Sequence, residues 1–290
     1  MLYLGPTSLK QPDRQLSTTG ITDWQQYYLQ QAASSSNGLL RQFYQAGMVA
    51  GDTPIKAVPL LALDIETTGL DPANSGIVSL GTVPLNLQRI YSSQARQWLV
   101  KPRFALSDES VTLHRITHTD IAGAPDLSEI LPQLLQQLAG KVVVVHYRGI
   151  ERPFLQAAVK ARLGAGLLFP IIDTMQLEAR LHRQQPLSFW QRLRGQQPLS
   201  IRLADSRLRY GLPPYRPHHA VTDAAVLAQL LSDVRPRAPR KPRQRVRSAN
   251  ILEPAIVALA TRRPEPHTEP AARLKEPAAS PSPFTTQASA

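Results

Sequence analysis

Four consecutive valines and a histidine at residues 142–146 restrict the fold more than any other segment of this chain. The run has the length of a strand and almost no polar position that would face water. A strand of this kind is typical of a sheet that is covered on both faces. Strand-like and helical patterns also alternate over residues 56–233, which predicts an α/β domain.

The same alternation predicts the order of the elements. Three strands come first in succession and strands alternate with helices afterwards, which indicates a mixed sheet with helices packed against it. The predicted strands cover residues 58–65, 77–83, 97–100, 142–146 and 169–172. The predicted helices cover residues 108–118, 126–138, 151–163, 174–181, 203–210 and 220–231.

Composition divides the chain into three regions. Residues 1–55 are rich in Gln and Ser and contain two short helical patterns, the first after a Thr22 cap, so we interpret them as an N-terminal helical accessory segment. The main domain is expected at residues 56–233. Residues 234–290 hold 10 of the 26 prolines and 11 Lys/Arg, which predicts a disordered tail. This tail is either a solvated linker, which we favour slightly, or an electrostatic arm that binds a polyanion.

Charge and composition limit the classes of function. The formal net charge of +12 favours a polyanionic partner such as a nucleic acid. The absence of cysteine excludes disulfides and thiolate chemistry, so a metal site has to use carboxylates or histidines. No apolar run is long enough to span a membrane, and the N-terminus lacks the apolar core of a secretory signal. We therefore expect a cytoplasmic protein that does not enter a membrane.

Two acids, Asp64 and Glu66, follow an apolar strand in the order Asp-Ile-Glu-Thr-Thr-Gly. Side chains alternate along a strand, so both acids point to one face, about 6.6 Å apart along the strand. Neighbouring carboxylates beside a core repel each other unless a cation lies between them, and hard oxygen ligands select Mg²⁺ or Mn²⁺. The alternative is a solvent-facing acidic pair, but Gly69, which permits close backbone approach, favours a site.

Two further segments carry chemically useful side chains. His218 and Asp223 lie near the end of the main domain, and a loop histidine ahead of a helix can accept a proton from water. Alone, such a histidine is more typical of a surface or capping position. Glu151 follows the valine strand near the start of a predicted helix, where an acid alone indicates only an interaction with the helix dipole.

Together these segments resemble the DEDD exonucleases, in the subclass that uses a histidine as general base. The proofreading epsilon subunit of bacterial DNA polymerase III and ribonuclease T are members of that superfamily. The first family motif is matched from Asp64 to Gly69, and the last, His followed five residues later by Asp, is matched by His218 and Asp223. The resemblance covers about residues 58–233. It implies a ribonuclease-H-like α/β fold with a mixed five-stranded sheet flanked by helices.

The middle motif departs from the family pattern. Members usually have His-Asn-x-x-Phe-Asp, whereas this chain has His146, Tyr147 and Glu151 in place of the His, the Asn and the Asp. The third carboxylate is kept but is one methylene longer. Because such sites are sensitive to displacements of about 1 Å, we expect Glu151 to change the metal spacing or to weaken the activity.

The resemblance also implies roles for particular residues. It implies two divalent cations, Mg²⁺ or Mn²⁺, held by Asp64, Glu66, Asp223 and Glu151, with His218 as the general base. It implies contacts to the terminal nucleotide from Thr67, Gly69, Leu70, His114, Ile116 and His146. The segment 171–174 resembles a recurring family segment that we expect to serve architecture rather than chemistry.

The implied function is a 3′→5′ exonuclease that releases nucleoside 5′-monophosphates from the 3′ end of DNA, with single-stranded DNA favoured. Two alternatives stay open, an RNA-trimming exonuclease and a catalytically weakened module that binds nucleic acid or a polymerase. A polymerase or sliding-clamp partner is also considered, because residues 184–189 faintly resemble a clamp-binding peptide, although an ordinary loop is favoured there. Trp190 is either a core residue or a stacking surface.

Overall fold

The computed structural model describes residues 20–183 and 188–233, which contain five strands, ten α-helices and two short 3-10 helices. The strands are β1 (Leu60–Thr67), β2 (Ile77–Leu85), β3 (Arg96–Leu99), β4 (Val142–Val145) and β5 (Ile171–Asp173). The helices are α1 (Trp24–Ser34), α2 (Gly38–Gln45), α3 (Asp108–His114), α4 (His118–Ala122), α5 (Leu127–Leu138), α6 (Arg148–Leu163), α7 (Thr174–His182), α8 (Phe189–Leu193), α9 (Leu203–Arg209) and α10 (Ala220–Asp233).

The five strands form one mixed sheet in the order β3-β2-β1-β4-β5. Strand β2 is antiparallel to both β1 and β3, whereas β4 and β5 run parallel to β1. The predicted mixed five-stranded α/β fold is therefore confirmed. Since β1 and β4 are parallel, their carboxyl ends lie at the same edge of the sheet, and this edge carries the functional residues.

Strand β1 is buried on both faces, and its alternation divides the core in two. Leu61 and Leu63 pack in one cluster with residues of α1, α2, α5 and α6. Leu60 and Ala62 pack in a second cluster with residues of α10. Because alternate residues of a strand share a face, Asp64 and Glu66 lie on the same face as Leu60 and Ala62, which is the face covered by α10.

Helix α10 lies very close to the sheet, because its first residue, Ala220, packs on a glycine of β2. Gly81 pairs with Asp64 across the strands. A Cβ atom added at Gly81 would lie 2.1 Å from the carbonyl carbon of Ala220, a distance that no real side chain tolerates. The missing side chain thus sets the height of the α10 N-terminus above β1, three residues before Asp223.

The N-terminal helices share the core of the main domain. Trp24, Tyr28, Phe43 and Tyr44 belong to the same cluster as one face of β1, and the Tyr44 hydroxyl accepts a hydrogen bond of 3.1 Å from the backbone N–H of Leu168. The boundary near residue 55 stays a prediction.

One predicted helix cap is wrong. The cap of α1 is Asp23, whose carboxylate accepts a 3.0 Å hydrogen bond from the Gln26 N–H, and not Thr22. An aspartate next to the first helical residue provides the acceptor directly, so the threonine is not needed.

The helix predicted over residues 108–118 is in fact two helices. Arg115 adopts a left-handed conformation with φ 60° and ends α3. Thr117 then caps α4 through a reciprocal hydrogen-bond pair with Asp120, a strong local stop-and-start signal.

Three sequence expectations lie outside the described residues: the tail at 234–290, the first 19 residues, and the Gln184 to Leu187 part of the clamp-like peptide. Within residues 20–183 and 188–233, no helix combines the length and the apolar character that crossing a membrane requires.

Candidate active site

Three carboxylates from two elements meet at the end of the sheet where β1 and β4 terminate. Asp64 and Glu66 come from β1 and Asp223 comes from the first turn of α10. Ligand oxygens of all three lie within 4.8 Å of one another, and the three residues are only 6%, 2% and 3% exposed. Residues far apart in sequence thus form one compact acidic cluster.

Burial makes this cluster costly while all three acids are ionised. Burial, and next the charges of Asp223 and Glu66, hold the pKa of Asp64 well above its usual range. Burial raises the pKa of Glu66 to about 7, and it also raises the pKa of Asp223. A bound cation would reverse these shifts, because it favours the ionised forms.

The cluster fits a divalent metal ion. Its donors are carboxylate oxygens, the ligands that Mg²⁺ and Mn²⁺ prefer. The Oδ2 atom of Asp64 is buried and has no hydrogen-bond partner among the described residues. Native proteins rarely leave such an atom unsatisfied, so a ligand is the physical explanation that we favour.

Asp223 is held in place by the loop that precedes α10. Its Oδ2 atom accepts a hydrogen bond of 2.9 Å from the His219 N–H, and its carboxylate also accepts one from the Tyr215 hydroxyl. The Tyr215 ring lies 5.2 Å from the guanidinium carbon of the buried Arg207. This network fixes the direction in which Asp223 faces the acids of β1.

The histidine of the same loop, His218, is half-buried in front of α10. Its φ of 70° places it in the left-handed region, as a tight turn into the helix requires. Burial is the largest cause that lowers its pKa to about 4, and the neighbouring Arg115 contributes in the same direction. His218 is therefore neutral near pH 7 and able to accept a proton.

The fourth predicted acid, Glu151, lies in the first turn of α6 and is 3% exposed. Burial, and next the charge of Asp173, hold its pKa well above its usual range, and Glu66 contributes in the same direction. Its Oε2 atom has no hydrogen-bond partner among the described residues. Glu151 stands outside the tight group of three, so its role as a metal ligand stays a prediction.

Asp173 joins the starts of two helices beside Glu151. Its carboxylate accepts hydrogen bonds from the backbone N–H groups of Tyr147, just before α6, and Arg148, the first residue of α6, at 3.1 and 3.0 Å. It also caps α7 by accepting the N–H groups of Met175 and Gln176, at 3.0 and 3.3 Å. These contacts support the architectural role expected for segment 171–174.

Four of the predicted nucleotide contacts surround the end of β1. Thr67 is buried, and its hydroxyl donates to the carbonyl of Gly69 at 2.6 Å. Leu70 is 45% exposed, and Ile116 is half-buried against a small apolar cluster. An exposed leucine beside the acids suits contact with a base or sugar, and these assignments stay predictions.

The other two predicted contacts are histidines engaged inside the protein. His114 accepts a 3.1 Å hydrogen bond from the Ile116 N–H at Nδ1, and its Nε2 lies 2.5 Å from the Ser110 hydroxyl, which donates to the Thr67 carbonyl. His146 lies 2.8 Å from the Thr174 hydroxyl at Nδ1 and 3.0 Å from the Ile201 carbonyl at Nε2. Substrate contact by either residue stays a prediction.

Sequence reasoning missed Gly81 and Tyr215 and gave Asp173 no specific contact. A glycine inside a strand pattern signals close backbone approach, so Gly81 could have been found. Nothing in the local sequence links Tyr215 to Asp223, because the contact depends on how the loop returns to α10.

Comparison with known proteins agrees with this geometry. A model of the exonuclease family RNase_T matches residues 61–231, which include all three acids of the cluster. The chain belongs to this exonuclease family. This membership agrees with the resemblance to the DEDD exonucleases that the sequence motifs indicated.

The relatives that match this chain are much longer proteins, and only a part of each one aligns with it. The chain is 29% identical over 180 residues to a DNA polymerase III of the PolC type from Thermotoga petrophila, which covers 62% of this chain and 12% of the relative. It is 28% identical over 129 residues to a DNA polymerase III subunit epsilon-like protein from Rhodobacter capsulatus, with 44% and 18% covered. The chain therefore spans less than a fifth of the length of these relatives.

A solved structure supports the fold. The zinc-bound complex of Escherichia coli ExoI with single-stranded DNA superimposes with a TM-score of 0.51 at 13% identity, covering 61% of this chain and 40% of the other.

Proposed function

We propose that this protein is a metal-dependent 3′→5′ exonuclease that removes nucleoside 5′-monophosphates from the 3′ end of DNA, with single-stranded DNA favoured. The observation that carries the proposal is the buried cluster of Asp64, Glu66 and Asp223, whose oxygens lie within 4.8 Å. The relatives support DNA over RNA, since their names refer to DNA polymerase III. They also make a polymerase a plausible partner.

In this proposal the three acids of the cluster would hold two divalent cations, with Glu151 in support. When bound, such ions lower the pKa of water and stabilise charge on the attacking and leaving oxygens of a phosphodiester. The chain supplies the rigid frame: β1 fixes two of the acids, and the short Gly81 contact fixes the helix that carries Asp223.

His218 would accept the proton that the attacking water loses. Its low pKa leaves the ring neutral before substrate binds. A bound phosphodiester adds negative charge beside the ring, which raises the histidine pKa towards the working pH. The water oxygen bonds to phosphorus as the phosphorus–O3′ bond breaks, which releases the nucleoside 5′-monophosphate. The O3′ of the shortened strand takes a proton from solvent and becomes a 3′ hydroxyl, and His218 returns its proton to solvent.

The proposal is tested with single-stranded DNA and RNA of one sequence, each labelled at the 5′ end, in Mg²⁺ or Mn²⁺. We expect a ladder that shortens from the 3′ end, abolished by EDTA, with DNA cut faster than RNA. Faster cutting of RNA would favour the RNA-trimming alternative. A label released as a mononucleotide at the start of the reaction would contradict the 3′→5′ direction.

A His218→Gln variant tests the general base. We expect kcat to fall about 100-fold or more, because general-base catalysis contributes about 10²–10⁴. Mn²⁺ binding should be retained, since His218 is not one of the three clustered acids. The neighbouring His219→Gln is the matched control, because the exposed His219 contacts Asp223 through its backbone N–H rather than its ring.

A second candidate is a module that binds DNA without cutting it. It is favoured by the position of Glu151 outside the group of three and by Tyr147, which stands in place of the usual asparagine with φ 96°. Absence of cleavage in both metals, together with tight binding of a single strand, would establish it. Restored cleavage by Glu151→Asp would then identify the longer side chain as the cause.

A further inference from the structure

An exposed aromatic pair lies on the segment between α7 and α9. Phe189 and Trp190 on α8 are 70% and 66% exposed, and Leu193 on the same helix is 67% exposed. The two rings touch edge to face, with centroids 5.6 Å apart. Trp190 is therefore not a core residue, and the stacking-surface alternative is the one that fits the structure.

The stretch of sequence that contains this pair carries charge of one sign, between Glu178 and Asp205. Residues 179–204 contain five arginines and no acidic residue. Among them, Arg194 is exposed one residue after the end of α8. Aromatic faces among arginines are characteristic of surfaces that bind single-stranded nucleic acid, where bases stack and cations neutralise phosphates.

The segment is attached to the end of the sheet that carries the acidic cluster. The guanidinium of Arg183 donates to the Leu199 carbonyl at 2.8 and 2.6 Å, which ties the two ends of the segment together. The buried Ile201, two residues after Leu199, is hydrogen-bonded through its carbonyl to His146, which directly follows β4. Strand β4 is parallel to β1, so this anchor and the acids of β1 lie at the same end of the sheet.

We propose that Phe189 and Trp190, with Arg194, form a stacking platform for bases of a single strand whose 3′ end occupies the acidic cluster. The platform would hold nucleotides on the 5′ side of the terminal one. The proposal rests on the proposed function for the position of the 3′ end. It adds that the enzyme prefers single strands long enough to reach α8.

The platform is tested by strand binding in EDTA, where cleavage is prevented. Fluorescence anisotropy of the full-length chain would be measured with labelled oligothymidylates of 3 and 16 nucleotides. For Phe189→Ala/Trp190→Ala we expect the Kd of the 16-mer to rise about 10- to 100-fold, because a stacked base accounts for about a 5- to 150-fold change in affinity. The Kd of the 3-mer should stay within about twofold of wild type.

Two further variants separate stacking from a change in structure. Trp190→Phe keeps an aromatic face and should recover most of the 16-mer affinity. Leu29→Ala removes an equally exposed apolar side chain from α1 and should leave both affinities unchanged.

Three results would overturn the platform: an unchanged 16-mer affinity in the double variant, an equal loss for both lengths, or a wild-type dimer in sedimentation that the double variant converts to monomer. The last result would assign the aromatic pair to contact with a second copy. Length-dependent binding without cleavage in Mg²⁺ would instead leave the platform in place and refute the exonuclease proposal.

Discussion

Neutralising one acid of the cluster should make the metal-free protein more stable while it removes the activity. In Asp64→Asn the side chain keeps its shape and loses its charge. The oxygens of the three acids lie within 4.8 Å, and two unit charges at that distance repel by about 3 kcal/mol at an effective dielectric constant of 20. In EDTA at pH 8 we therefore expect Asp64→Asn to raise the free energy of unfolding by about 3 kcal/mol.

The assay is thermal unfolding with and without Mn²⁺. For a domain of this size, 3 kcal/mol corresponds to an increase in Tm of about 6–12 °C. Mn²⁺ should raise the Tm of the wild type and have little effect on Asp64→Asn, because the variant has lost a ligand. Asp52→Asn is the matched control, since Asp52 is exposed and its change should stay within about 0.5 kcal/mol.

A metal-free Asp64→Asn variant that is less stable than the wild type would refute the reasoning. That outcome would mean that hydrogen bonds to Asp64 outweigh the repulsion, and the cluster would then be a structural network rather than a metal site.

Three further predictions follow from the site and its supports. The pKa of Glu66 is about 7 in the folded protein, above its ordinary value of 4.5. The folded state therefore binds this proton more tightly than the unfolded state, and the resulting stability is fully present below pH 4.5 and is lost as the pH rises through 7. Urea unfolding in EDTA should show about 3 kcal/mol less stability at pH 8 than at pH 4 from this group, and Glu66→Gln should remove that dependence. Gly81→Ala should destabilise the protein by about 1–3 kcal/mol and reduce kcat, because its methyl group would push α10 away from the sheet. Gly123→Ala, where a methyl group meets nothing within 4 Å, should leave kcat unchanged in the same nuclease assay, and equal losses in the two variants would contradict this account. Asp173→Ala should cost about 2–4 kcal/mol in urea unfolding, since two helix starts lose their acceptor. Asp120→Ala removes one acceptor from the capping box at the single helix start of α4 and should cost about 1 kcal/mol.

Most of the fold could be predicted from the sequence because its central strands are short and mostly apolar. The valines of β4 have no polar position, and all four are buried. Alternation along β1 correctly separated Leu61 and Leu63 from Asp64 and Glu66, since a strand permits only two side-chain directions.

The contact between β1 and α10 could not be predicted from the local sequence pattern of either element. Asp223 is distant in sequence from Asp64, and only the resemblance to a family placed them together. The structure supplies the physical reason, because Gly81 lets the backbone of Ala220 pass directly over β2 beside Asp64. A glycine inside a strand pattern indicates close backbone approach, but it does not indicate which segment of the chain approaches.

The two errors at helix ends have different causes. Thr22 and Asp23 are both good caps, and the choice between them depends on which backbone N–H groups come within reach. The break after His114 was missed for another reason: the left-handed Arg115 has no sequence signal, but the Thr117 and Asp120 spacing of a capping box could have indicated a new helix start.

The most direct test of the central claim, that Asp64, Glu66 and Asp223 form the metal centre, is an anomalous difference map from a crystal soaked in Mn²⁺ and a nucleoside 5′-monophosphate. The account predicts Mn²⁺ peaks in contact with these three carboxylates, with the phosphate bound beside them and His218 facing it. Peaks located elsewhere, or none at this cluster in a preparation that degrades DNA, would contradict it.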